Sequence, residues 1–542
     1  MLPAASLSSL PSAESHPVLV ARTLLYLAHG LQNLHQATFD LSRLDLECTP
    51  TAAMHRFLAT ASRLVANNDE LIESLEGLEC LVLEGVFHVN SGNLRRAWKV
   101  FRRAIGLGQL MGFHLKDHSD LTVLNPATAA CPSFIWHRIV SQDRYLSLIL
   151  NLPSGTADDI LEYSDGLDPV DCPMGYLERV HCTIMSRIAT IKSPRADDEA
   201  SIDTRSIDSK LEKAACNMPS DWWEPPSPKG KSIRGKDELE DVLRILFQIT
   251  HYSLLIYIRL PHMFQSVSMD LHNHDEAACV DASRELLKRY IGFRCMDSVA
   301  FCCTLIDFSA FTACIALLLA HLQRWHRDPE LGDDRLYRRL SDRDMVQETI
   351  ELMLELSQQN DDAVLKKKAG VVKSLARMEA DAAKHAGLYG DIGVASRRSL
   401  PNVSLQVIVP TIGSVSISRN GVSPSRLSEN VESQDEARMI TTRQQPHQSH
   451  PALRLDETDA RMQSASGFEF DINSEMAKLP DLCEQEFLQD LDSLDCFGFI
   501  YGDEVNLACQ YAPTSNPLEL EGSGVSDQDQ LLSEFLDSLS GA

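Results

Sequence analysis

The sequence predicts an all-α fold: an irregular multi-helix domain followed by a disordered linker and an acidic tail. Three observations predict it. Apolar residues recur at three- and four-residue steps over most of the chain before Gly390, the spacing of one helix face. No alternation of apolar and polar residues runs long enough for a sheet, and no segment repeats at a constant period. Aromatic residues are only 6% of a chain that is 44% hydrophobic, which favours helix over strand and still allows a large core.

The elements follow in order. Residues 1–15 read as a disordered tail, and 16–192 as the first half of a helical domain. Its strongest signal is a hairpin. Ile72, Leu75, Leu78, Val82, Val86 and Val89 form one apolar face, with Asn67, Asn68 and Asp69 placed to cap it. The chain then turns at Asn90-Ser91-Gly92-Asn93. Gly92 suits the left-handed end of a helix, and Asn93 suits the cap of the next. That next helix aligns Leu94, Ala97, Trp98, Phe101, Ile105 and Gly108, and so short a turn makes the pair antiparallel. A third helix runs from Phe134 to Leu150 and stops at Leu152-Pro153-Ser154-Gly155.

Residues 193–237 are polar and Pro/Lys-rich and read as an insert carrying Trp222-Trp223. Helices resume over 238–390, at Glu238–Arg259, Ala277–Phe293, Met296–Arg324, Asp344–Gln358 and Asp362–His385. Within them, Val299 to Leu322 has about the length of a membrane span. Asp307 interrupts it and no Lys/Arg cluster flanks it, so it reads as a buried core helix, and no membrane partner is expected. Residues 391–466 are rich in Ser, Arg, Gln and Asn and cannot bury enough surface to offset their ordering entropy.

Residues 467–542 are acidic. After Arg461 the chain holds seventeen acids against Lys478 alone, more than half of a net charge of −27. Phe487, Leu488, Leu491, Leu494 and Phe497, and then Leu531, Leu532, Phe535 and Leu536, are spread among those acids. Such a segment stays soluble and folds into an apolar groove on a partner, the behaviour of an activation region.

The charge argues against the whole chain coating nucleic acid. The fourteen cysteines include no Cys-x-x-Cys, so no structural metal site is expected and no cofactor is assigned to this chain. His88, His114, His118 and His137 read as satisfied helix residues. Phosphate loops, zinc-protease motifs and nucleophile elbows are missing, so the chain is not read as an enzyme.

The runs GLECLVLEGVFHVNSGNLRRAWKVFRRAIGLGQLMGFH (Gly77–His114) and IWHRIVSQDRYLSLILNLPSG (Ile135–Gly155) resemble the middle homology regulatory domain of fungal zinc binuclear cluster transcription factors. The matching positions are Trp98, Phe101, Arg102, Arg103 and Ala104; Trp136; Asp143, Arg144, Tyr145 and Ser147; and Leu152-Pro153. Met218 to Trp223, His251 to His262, and Asp307-Phe308 with Phe311 and Ala313 follow in the family's order, so the resemblance covers Val18 to Leu388.

The resemblance implies a nuclear transcriptional regulator, an activator, of RNA polymerase II genes of a metabolic or secondary-metabolite pathway, with co-activators as partners and a small molecule as effector. It also implies that Asp143 and Arg144 are structural, holding the Leu-Pro turn; from the residues alone they form either a buried ion pair or a solvated helix face. The basic stripe Arg95, Arg96, Lys99, Arg102 and Arg103 is expected to pair with Glu73, Glu76, Glu79, Glu84 or Asp143 rather than with phosphate. Trp222-Trp223 is expected to anchor a loop.

The family's zinc, held by six cysteines, belongs to a module that this chain does not show. DNA would then be reached indirectly, by pairing with an intact zinc-cluster factor. A second reading makes the chain a truncated form of such a factor, with the module upstream. A third, from another class, is a helical scaffold with no role in transcription.

Overall fold

The computed structural model describes residues 11–33 except 13, 48–157 except 116–117 and 127–129, 173–190, 198–225, 236–265, 269–295, 304–327, 333–359, 362–388, 405–409, 413–418 and 421–424. These hold thirteen α-helices and one small sheet. The expected activation residues, Phe487 to Phe497 and Leu531 to Leu536, lie outside the described residues, as do residues 1–10 and most of 391–466.

The first helices are α1 (Pro17–Asn33), α2 (Pro50–Ala61), the short α3 (Asp69–Ile72), α4 (Leu75–Asn90), α5 (Leu94–Leu110) and α6 (Pro132–Leu150). The expected hairpin is α4–α5, with changes at its start and at its caps. The helix anticipated through Ile72 breaks at Glu73, and Ser74 restarts it by accepting the Gly77 N–H at 3.0 Å. Asn68 caps only the short α3, through Glu70 N–H at 3.1 Å. Gly92 takes φ 73°, and the Asn93 N–H reaches back to the His88 carbonyl at 2.8 Å. Asn93 makes no side-chain cap.

Every residue of α4 is buried, not one face only. Its acids are satisfied inside the core. Glu76 accepts the N–H groups of Leu124 and Asn125 at 3.0 and 2.9 Å. Glu79 binds Arg22 at 3.1 Å and the Tyr26 hydroxyl at 2.5 Å. Glu84 accepts from Ser62. Periodicity marks which residues are apolar; it does not show that a second layer, here α1, covers the polar side.

The chain continues through α7 (Pro173–Thr190), α8 (Asp198–Cys216), a single 3-10 turn at Ser220–Trp223, α9 (Lys236–Gln265), α10 (Met269–Arg294), α11 (Thr304–Arg327), α12 (Asp333–Gln359) and α13 (Ala363–Leu388). Several differ from expectation: α7 is not anticipated, and α10 and α12 begin before the expected Ala277 and Asp344. The polar insert contains α8, whose Ile207, Leu211 and Ala214 recur at helical spacing and are buried. Helix α9 runs through Pro261 to Gln265 instead of stopping at Arg259.

One apolar core spans α1 to α13. Helix α11 is its axis. Its stretch Thr304–Arg324 is long and apolar enough to cross a membrane but is 94% buried among the other helices. It packs on α9, α10, α12 and α13, and also on α4, where the Thr304 hydroxyl donates to the Asn90 carbonyl at 2.7 Å. The two halves therefore share one interior. Beyond the helices, Leu405–Val409, Gly413–Ser418 and Gly421–Pro424 pair as an antiparallel meander, β1-β2-β3. It falls in the stretch read as linker, where Val and Ile alternate with Ser in runs too short to stand out by pattern.

Candidate functional site

Helices α5 and α6 bring five of the singled-out residues into one polar knot around the turn 151–157. Helix α6 ends because Asn151 takes the left-handed conformation, φ 54°, which short polar side chains tolerate. The turn then folds back under α5. Trp98 Nε1 donates to Ser147 Oγ at 3.0 Å. Arg102 stacks over the Trp98 ring at 4.7 Å, pairs with Asp143 at 2.6 Å and donates to the Pro153 carbonyl. The second Asp143 oxygen accepts the Gly155 N–H at 2.8 Å.

Asp143 and Arg144 do not pair with each other. Neighbouring helical residues point about 100° apart. Arg144, fully buried, turns the other way and donates to the Ala157 carbonyl at 2.6 Å and to the Cys182 carbonyl of α7 at 3.4 Å. Burial pushes the Asp143 carboxyl up from the ordinary range, against the opposing pull of Gly155 N–H and Arg102.

The other singled-out residues lie apart from the knot. Arg103 binds Asp69 and the Ala66 carbonyl, not the glutamates of α4. Trp136 is buried against Gly108. Arg96 lies 3.9 Å from Glu84, while Arg95 and Lys99 are exposed. The Tyr145 hydroxyl sits 3.4 Å from Ser309 of α11.

Tyr145 also borders a cavity of about 90 Å³ between α6, α7, α9 and α11. Met185, Leu246, Phe247, Leu305 and Ile306 make its walls mostly apolar. Arg138 and Glu178 line it as a closed ion pair at 2.6 Å, with His137 3.5 Å from the same carboxylate. Burial alone would raise the Glu178 pKa, but Arg138 and His137 outweigh it and hold it at about 2.

His181 Nε2 lies 3.2 Å from His251 Nδ1. Burial pushes His181 well down, with a further push from His251; burial and then Arg289 push His251 to about 3. Both rings are therefore neutral. Behind them Trp223 packs on His251 at 4.7 Å. The Trp pair is tied down by Trp223 Nε1 donating to Ala215 O at 3.3 Å, and by Gln248 and Arg289 donating to the Trp222 and Trp223 carbonyls.

Three of the residues lining this cavity carry a buried polar atom with no hydrogen-bond partner: Arg138 Nε, Gln142 Oε1 and His181 Nδ1, the last two on residues outside any ion pair. Sequence reasoning singles out none of them. The one signal is the three-residue spacing of Glu178 and His181 on an amphipathic segment, and it stays hidden while α7 itself is not anticipated. Among the described residues no cluster of three or more His, Cys, Asp or Glu is arranged to hold a metal ion.

Residues 4–164 match the family model described as the fungal specific transcription factor domain. The chain is 40% identical over 380 residues to a dehydrocurvularin biosynthesis regulator of Alternaria cinerariae, covering 70% of this chain and 49% of that one. It is 33% identical over 419 residues to the transcription factor sdnS of Sordaria araneosa, covering 77% and 53%. It is 38% identical over 270 residues to the transcription factor eupR of Phoma sp, covering 48% and 57%. The chain thus spans about half the length of the curated relatives it matches. No solved structure matches it.

Proposed function

From the match of residues 4–164 to the fungal specific transcription factor domain, we propose that the chain is a member of that family and regulates transcription of a biosynthetic gene set, as an activator acting in the nucleus. The observation that carries this reading is the match of residues 4–164, together with relatives at 33–40% identity that are named as regulators. Helices α1 to α6 fall inside the matched segment, and the polar knot joins α5 to α6 within it.

The acidity of the whole chain favours a regulatory body over a DNA reader. With a net charge of −27 the chain would repel the phosphate backbone. DNA contact is assigned to another module, in the same polypeptide or in a zinc-cluster partner. Output is assigned to the acidic segment 467–542, whose Phe487, Leu491, Phe535 and Leu536 would enter a co-activator groove.

Deleting the gene in its host and sequencing the transcripts tests the proposal. A co-regulated set of biosynthetic transcripts should fall, and return with the wild-type chain. A version with those four side chains changed to Ala should restore protein level but not transcription. An unchanged transcriptome would overturn the regulatory reading; full rescue by the four-fold variant would overturn the assignment of output to the tail.

A further inference from the structure

We propose that the cavity between α6, α7, α9 and α11 is a binding site for a small, neutral, largely apolar molecule that presents a hydroxyl to Gln142 and His181. The size, charge and polar pattern of the walls lead there. A space of about 90 Å³ is larger than one water needs and smaller than the dry engineered pocket, about 150 Å³, that takes up benzene. It suits one ring or one short branch of a ligand whose remainder extends through the mouth. The lining is apolar over most of its surface, which selects an apolar body.

Charge is excluded because none is left to meet it. The Arg138 guanidinium and the Glu178 carboxylate neutralise each other at 2.6 Å. His181 and His251 share a single proton between facing nitrogens 3.2 Å apart, as two neutral rings must. An ionised ligand would lose its hydration and gain no counter-ion.

Arg138 Nε belongs to a guanidinium already paired with Glu178, so the hydroxyl follows from the two other buried atoms without partners, Gln142 Oε1 and His181 Nδ1. Buried polar atoms in folded proteins are nearly always satisfied, so two orphans bordering one cavity call for a group that satisfies them. The histidine pair makes the requirement amphoteric. When His181 Nε2 donates to His251, Nδ1 of His181 is an acceptor; when it accepts, Nδ1 carries the proton and donates. A hydroxyl serves both states, and it serves either orientation of the Gln142 amide. The walls come from both halves of the helical domain, α6 and α7 from the first and α9 and α11 from the second. A bound molecule would therefore clamp the two halves together. The assignment concerns binding alone and does not rest on the transcriptional reading.

The test titrates the full-length chain with three probes of one shape: toluene, p-cresol and p-toluate, followed by ligand-observed NMR. The expected result is that p-cresol binds at least about tenfold more tightly than either of the others. Gln142→Leu, which breaks no internal hydrogen bond of Oε1, should abolish the preference for p-cresol over toluene. Ile306→Trp, which fills the space, should abolish binding of all three. Equal binding of toluene and p-cresol, tighter binding of p-toluate, or binding of no probe at millimolar concentration would each overturn the proposal. So would an unchanged p-cresol preference in Gln142→Leu. If Ile306→Trp fails to fold, the Gln142→Leu comparison decides alone.

Discussion

Asp143 is the residue on which the turn after α6 depends, because its two oxygens hold different partners. One faces Arg102, the other the Gly155 N–H. Removing the carboxylate leaves a guanidinium partly buried, only 24% exposed, with its charge unmet. Asp143→Ala should therefore destabilise by about 3–5 kcal/mol. Asp143→Asn keeps an acceptor for Gly155 and should cost clearly less. Arg95→Ala, on the exposed stripe, should stay within about 0.5 kcal/mol. Urea denaturation of the three variants checks the order; equal loss for Ala and Asn would show that the charge does not matter there. At this scale the sequence reveals the members of the knot but not its pairing. Trp98, Arg102, Asp143 and Pro153 stand out by family order, whereas the choice of Arg102 over Arg144 depends on the direction of Cβ around α6 and on the path of the turn. Gln142 carries no signal and His181 only its spacing from Glu178, since an orphaned atom exists only once the neighbours are placed.

At the scale of elements, the α4–α5 hairpin is legible because a period of 3.6 and the left-handed Gly92 act locally. Its closeness is not. A Cβ at Gly85 would lie 2.6 Å from the Phe101 ring of α5, and that ring is fully buried with no room to swing away. Gly85→Ala should then cost roughly 1–3 kcal/mol by overpacking, although Ala is the better helix former in isolation. Phe101→Leu should cost more alone but part of the Gly85→Ala loss should vanish in the double variant. A thermal-melt cycle measures this coupling; strictly additive losses would show that the two residues do not touch. Helix α8 illustrates the opposite limit. Three buried apolar residues suffice to dock it beside Leu177 and Met218, too few to outweigh a polar composition read in isolation. Pro261 reads as a stop, yet α9 continues because a missing hydrogen bond near a helix end is tolerated when packing on α10 holds the chain.

The molecule as a whole buries polar groups between its layers, and from that we expect a loss of stability in acid that composition hides. His29 of α1 sits inside the core and donates from Nε2 to the Leu83 carbonyl of α4 at 2.8 Å. Burial lowers its pKa from 6.5 to about 4, the hydrogen bond opposing. His251 is held at about 3 between α7 and α10. The sign follows from linkage. Near pH 7 both rings are neutral folded or unfolded and contribute no pH dependence. Below 6.5 the unfolded chain gains protons that the folded chain refuses, so stability falls until the folded pKa is reached. Each shift is worth on the order of 3 kcal/mol or more, comparable with much of a domain's net stability. Glu178, held at about 2, adds a further loss below pH 4.5, where the unfolded carboxylate protonates first. The urea midpoint should thus be level above pH 7 and drop steeply between pH 6.5 and 4. His29→Gln retains a donor for Leu83 and cannot be protonated, so it should flatten that drop by about 3 kcal/mol while changing stability little at pH 7.5. A midpoint that is level from pH 7 to 4 in the wild type, or a slope untouched in His29→Gln, would mean that α1 does not seal His29 against α4.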